Sequence, residues 1–173
     1  MAQEHSDHLD DIVRQWNRER PDLDVSPMAV IGRITRVERS IRRRLEAVFA
    51  EHGLEGWEFD VPATLLRSGE PYELTPGQLL RSTMVTSGAM TNRLDRLEAR
   101  GLVTRTPSRT DRRVVLVALT PAGHQLINRA VEAHVANEHT ILTGLTDRQR
   151  LELARLLQRL EASVSEDPVT ADG

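Results

Sequence analysis

The side chains with the greatest chemical reach in this sequence are guanidinium groups, gathered in one stretch. All 23 basic residues are Arg, and eight of them lie between positions 76 and 113 (81, 93, 96, 100, 105, 109, 112 and 113). Only three acids, Asp95, Glu98 and Asp111, stand among them, a local balance of +5 in a chain whose net charge is −3. A guanidinium presents five donors in a rigid fork that matches phosphate oxygens and the guanine edge. One basic face on an acidic chain is drawn to a polyanion while the rest is repelled, which orients docking.

Spacing sorts these groups. On a helix over 86–100, Met90, Leu94, Leu97 and Gly101 share one side, the core side. Asn92 and Ala99 lie opposite, with Gly88, Ala89, Asp95 and Arg96 close by. Asn92 suits adenine edges and Arg96 suits guanine or phosphate, while Ser87 and Thr91 flank them for phosphate or thymine-methyl contact. Gly88 and Ala89 let the backbone approach a surface. Arg93 sits on a shoulder, roughly 70° from the core centre, and is directed towards the rest of the protein. A solvated face with Asn92–Arg96 pairing would explain this helix alone.

It would not explain the charged hairpin after the helix. Residues 102–107 and 112–119 read as two strands, with Val115, Val117 and Leu119 alternating on one face of the second. Their connection, Ser108-Arg109-Thr110-Asp111-Arg112-Arg113, is too charged for a plain turn. Arg109, Arg112 and Arg113 suit a narrow minor groove, where negative potential is enhanced. Asp111, which DNA would repel, is assigned to holding Arg113 or another Arg in place. A polar-faced helix followed by a basic hairpin is the layout of a winged helix-turn-helix that reads double-stranded DNA.

The other elements must position that unit. His8, Leu9, Ile12, Val13 and Trp16 form a helical stripe ended by Pro21. Ser26-Pro27 opens a long helix bearing Ile31, Ile34, Val37, Ile41, Leu45 and Val48, which closes near Gly53. A third helix covers about 57–68, a short strand Tyr72–Leu74, and a short helix Gly77–Arg81 after Thr75-Pro76. Thr120-Pro121 begins another long helix, and the capping box Thr146-x-x-Gln149 begins the last. The expected fold is mainly α with a small β-wing (α+β). Its divisions are an extra N-terminal helix (1–21), a linking and dimerisation helix (22–56), the winged lobe (57–120), C-terminal dimerisation helices (121–164) and a disordered tail (165–173). The striped ends offer more apolar face than one lobe can cover, so a twofold homodimer on a palindromic operator is expected.

Other classes find little support. There is no Ser–His–Asp spacing, phosphate-binding Gly-rich loop or paired catalytic carboxylates, so an enzyme and a cofactor are not expected. Cysteine is absent, which removes disulfides and thiol-based metal or redox sites. No metal site is expected. Without a signal-peptide start or a run of eighteen apolar residues, a cytoplasmic protein without membrane contact is expected. A purely helical interaction protein would leave the Arg-rich hairpin without purpose.

The segment Arg93-Leu94-Asp95-x-Leu97-Glu98-x-x-Gly101-Leu102-Val103, with Asp111-x-Arg113 and Leu119-Thr120, resembles the MarR family of dimeric bacterial transcription regulators. The resemblance spans about residues 27–163 and implies a helical dimer with a winged helix in each lobe, usually acting as a repressor. Trp16 on an added helix, Arg20-Pro21-Asp22-Leu23-Asp24 and Trp57-Glu58-Phe59-Asp60-Val61 further resemble the urate-responsive, PecS-like branch. That branch implies an effector site carried by Trp16, Asp60, Arg93 and Arg105. There, a flat anionic purine would stack on Trp16, be gripped by both Arg and repel Asp60, shifting the recognition helix. Pro62 departs from the ordinary helix former expected at its position and removes a backbone donor near Asp60.

Overall fold

The computed structural model describes residues 8–83, 86–108 and 110–165, so Arg109 and nearly all of the expected tail lie outside the described residues. Along the chain run α1 (His8–Glu19), α2 (Ser26–Glu51), α3 (Gly56–Arg67), β1 (Glu73–Leu74), α4 (Pro76–Ser82) and α5 (Ser87–Ala99). β2 (Val103–Pro107), β3 (Val115–Leu119), α6 (Pro121–Ile141) and α7 (Asp147–Ser165) complete the order. The mainly α architecture with a small antiparallel sheet is the one expected.

Threonine hydroxyls set most of the helix starts. Thr75 accepts from Gln78 N at 3.2 Å while Gln78 returns a bond to Thr75 N at 2.8 Å. Thr86 accepts from Ala89 N, Thr120 from Gly123 N, and Thr146 and Gln149 form the expected box. Each satisfies an otherwise orphaned first-turn donor. The start of α2 differs from expectation. Val25, not Ser26, is the N-cap, and the Asp24 carboxylate two residues upstream accepts from Ser26 N at 3.0 Å. α3 has a box that the spacing did not suggest, between Glu55 and Glu58. It runs through the buried Pro62 without ending.

The sheet has the order β1-β3-β2, all antiparallel, with Val103 opposite Leu119, Arg105 opposite Val117 and Pro107 opposite Val115. β3 starts at Val115 rather than at 112. Residues 111–114 are spent on a turn closed by Val114 N donating to Asp111 O at 2.9 Å. The core lies where α3, α4, α5, the sheet and α6 meet, around the fully buried Val61, Leu65, Leu79, Leu97, Val117 and Ile127. On its α2 side Phe49 stacks on Phe59 at 4.5 Å and on His134 at 5.5 Å.

α1 and α7 end the described fold differently from its centre, because neither has a buried residue. α1 docks on α2 by laying Leu9 over Gly32, where a Cβ would come within 2.6 Å of Leu9 Cδ2. An Asp10–Arg33 ion pair at 2.7 Å supports the contact. α7 keeps Leu151, Leu153, Leu156, Leu157 and Val164 exposed, and α2 keeps Ile31 and Val37 exposed. An apolar stripe of this extent is unusual on a chain that stands alone. Among the described residues, no helix is long and apolar enough to cross a membrane.

Candidate nucleic-acid interface

The core anchors α5 through Met90, Leu94 and Leu97, all at most 2% exposed. Its opposite face is therefore presented outwards, with Ser87, Gly88, Ala89 and Asn92 all exposed. A Cβ at Gly88 would meet nothing within 4 Å, so the chain's own packing does not require glycine there. Thr91 is exposed too, but its hydroxyl donates to Ser87 O at 3.2 Å, within the helix.

Two arginines of α5 and Arg100 at its C-cap engage the start of α3 and the residues just before it. Arg93 Nη1 lies 3.3 Å from Asp60 Oδ2. The Arg96 guanidinium lies over the Trp57 ring, 4.4 Å from its centroid, with Nη2 at 3.5 Å from Glu55 Oε1. Arg100 donates from Nη1 to Glu58 Oε2 at 2.5 Å and from Nη2 to Gly53 O at 2.8 Å. Glu58 is only 3% exposed. Positions 93, 96 and 100 have the i, i+3, i+7 spacing of a helical stripe, and Glu55, Glu58 and Asp60 answer them from the N-cap and first turns of α3. The acid-rich run Glu55–Asp60 and that Arg spacing were the available signals. Neither names its partner, because the segments are more than thirty residues apart.

Arg105 works on the other side of α5. Glu98 holds it by three bonds through both oxygens: Oε1 accepts from its backbone N at 3.1 Å, and Oε2 accepts from Nε at 2.9 Å and Nη2 at 2.5 Å. Asp95 Oδ1 stands 2.7 Å from the same Nη2. The wing is thus pinned to the recognition helix by one side chain. Arg105 also lines a recess of ≈390 Å³ with Pro76, Thr91, Leu94, Pro107 and Val115.

The Arg105 guanidinium holds the Glu98 carboxyl below its ordinary range, chiefly by the side-chain bond between them. A carboxylate with a lowered pKa contributes stability above its unfolded value and loses it as pH falls through the folded value. The link is therefore expected to persist on acidification through the usual glutamate range and to fail below it. An NMR titration of the Glu98 carboxyl checks this. Arg105→Gln is expected to move the midpoint upward, and an unmoved midpoint would contradict the assignment.

At the wing tip, Asp111 Oδ1 accepts from Arg113 N at 3.0 Å and from Arg113 Nε at 3.2 Å. Arg112 and Arg113 are exposed. The residues expected to hold an effector have the following partners. Arg93 meets Asp60, while Arg105 is drawn to Asp95 and Glu98, roughly 150° around α5 from position 93. Trp16 lies on α1, which packs on α2, and remains 43% exposed.

Residues 52–114 match the model of the MarR family. The chain is 47% identical to the HTH-type transcriptional regulator PecS of Dickeya dadantii (strain 3937) over 153 residues, which covers 88% of this chain and 92% of that protein. Its fold is similar to AbsC, a MarR family regulator from Streptomyces coelicolor (20% identity, TM-score 0.75, 84% of this chain and 98% of that one). It is also similar to a mutant MarR from E. coli complexed with operator DNA (25% identity, TM-score 0.67, 84% and 96%). A winged DNA-binding lobe and near-half identity along most of both sequences lead to one assignment: the chain belongs to the MarR family of transcriptional regulators, in the PecS-like branch, and is not an enzyme.

Proposed function

We propose that this regulator is a cytoplasmic repressor that binds a palindromic operator as a homodimer and is released by a small anionic aromatic effector, with urate as the first candidate. The observation that carries this reading is the division of α5. Its outer face is open, and both flanks are held by Arg–carboxylate pairs that an anion can contest. Ser87, Gly88, Ala89, Thr91, Asn92 and Arg96 would meet the major groove, and Arg109, Arg112 and Arg113 the minor groove, with Asp111 setting Arg113. The similar fold of a mutant E. coli MarR complexed with operator DNA supports DNA as the partner.

An anionic effector would compete with Asp60 for Arg93, or with Glu98 and Asp95 for Arg105. Either exchange moves a residue tied to the recognition helix. Trp16, exposed on α1, offers the flat surface on which an aromatic ring stacks. A mobility-shift titration with the DNA upstream of the gene tests the proposal. Urate at millimolar concentration is expected to release that DNA and to change tryptophan fluorescence. Arg93→Ala is expected to weaken the response to urate more than Arg96→Ala does. If urate changes neither readout, the urate assignment fails. Release by an aromatic carboxylate instead would point to the apolar recess beside Arg105.

The uncovered stripe on α7 supports the dimer. Leu156→Asp together with Leu157→Asp places two charges in that stripe and is expected to yield monomers by analytical ultracentrifugation. A dimer that survives both changes would move the interface elsewhere.

A further inference from the structure

We propose that Glu55 and Trp57 form a seat that holds the Arg96 guanidinium in the free protein, and that DNA must draw Arg96 away from Glu55 in order to bind. The inference rests on the DNA-binding reading above and assigns a regulatory part to two residues that need not touch DNA.

The seat is built from the protein interior outwards. Buried Glu58, held by Arg100 at 2.5 Å, accepts from Glu55 N at 2.9 Å and so fixes the backbone at position 55. Glu55 Oε2 accepts from Trp57 Nε1 at 2.5 Å, which orients the indole. The indole face then supports the Arg96 guanidinium at 4.4 Å, an arrangement favoured by the negative face of the ring. The other oxygen of Glu55 neutralises Arg96 from 3.5 Å.

The inner and outer pairs differ in a way that suits exchange. Arg100–Glu58 is short and its carboxylate is buried, so it stays. Arg96–Glu55 is longer, and both side chains are more than half exposed, at 55% and 62%. A phosphate arriving at the outer face of α5 competes for Arg96 on nearly equal terms. When Arg96 leaves, Glu55 keeps its negative charge beside the polyanion and opposes binding. The carboxylate therefore weakens DNA affinity in two ways, by masking a cation and by remaining as a like charge.

A mutant cycle on the full chain tests the idea by measuring the dissociation constant for the upstream DNA across a range of salt concentrations. Glu55→Gln keeps an acceptor for Trp57 but removes the charge. It is expected to tighten binding about two- to fivefold, the scale of an exposed ion pair. The plot of log affinity against log salt is expected to steepen by about 0.9, because the wild-type carboxylate vacated by Arg96 keeps one counterion at the interface and the amide does not. In an Arg96→Ala background the change in slope is expected to vanish and the tightening to shrink to its like-charge part, and Glu55→Asp, which keeps the charge, is expected to retain the wild-type slope. A purely structural role for Glu55 would weaken binding without steepening the slope. That result overturns the proposal, as does a steeper slope, or the full tightening, that survives Arg96→Ala. If the wild-type chain itself binds no DNA, the DNA-binding reading falls and takes the proposal with it.

Discussion

Replacing Gly123 with alanine is expected to destabilise the fold by about 3 kcal/mol, at the upper end of the usual cost of overpacking. A Cβ at this position would lie 1.9 Å from Leu102 O and 2.8 Å from Leu102 C. Both are backbone atoms, so no rotamer change can relieve the contact. The first turn of α6 would have to retreat from the start of β2. The same retreat would strain the bonds that Thr120 makes there, its hydroxyl donating to Gly101 O at 2.7 Å and its amide to Leu102 O at 3.1 Å. Urea denaturation of the variant measures the effect, and a loss below about 1 kcal/mol would show that the junction yields easily. Gly88→Ala is the informative contrast. With open space around its Cβ, it is expected to leave the fold as stable or more so, because alanine suits a helix better than glycine. Weaker operator binding by that variant would then report on DNA rather than on folding.

Arg100→Ala is expected to be about as damaging, at roughly 3–5 kcal/mol, because it breaks a buried ion pair from one side. The asymmetry of exposure decides which partner matters more. The Glu58 side chain is 4% exposed and that of Arg100 39%. Among the described residues, removing Arg100 leaves a carboxylate buried with Glu55 N as its remaining donor, and Gly53 O loses a partner as well. Removing Glu58 leaves a guanidinium that water can reach. Arg100→Ala is therefore expected to cost more than Glu58→Gln, by chemical denaturation at neutral pH. The opposite ranking would mean that Glu58 is solvated in the variant. Arg100 also caps the end of α5, so the two helices that shape the reading face are expected to loosen together.

The helices were legible because their signals are local. A threonine three residues before an unpaired amide caps a helix wherever the chain goes next. Met90, Leu94 and Leu97 announce a buried face by spacing alone. The exceptions have equally local causes that periodicity does not register. The Asp24 carboxylate accepts from the Ser26 amide while Val25 becomes the cap, and the Asp111 turn consumes the first residues of the second strand.

Charged partners were not legible in the same way. Arg93, Arg96 and Arg100 look alike in the sequence, yet one meets Asp60, one rests on Trp57 and one neutralises a buried glutamate. Arg105 pairs with Asp95 and Glu98, on the flank of α5 opposite Arg93. Ion-pair geometry depends on distances between segments that the chain brings together only on folding, and burial then sets the strength of each pair.

Sequence alone thus determined the class of this protein, its winged reading unit and the concentration of guanidinium groups upon it. These come from helical and strand periods, caps and local charge, which act between near neighbours. Only the tertiary structure decided which carboxylates hold Arg93, Arg96, Arg100 and Arg105. That allocation depends on how α3 and β2 pack against the two flanks of α5.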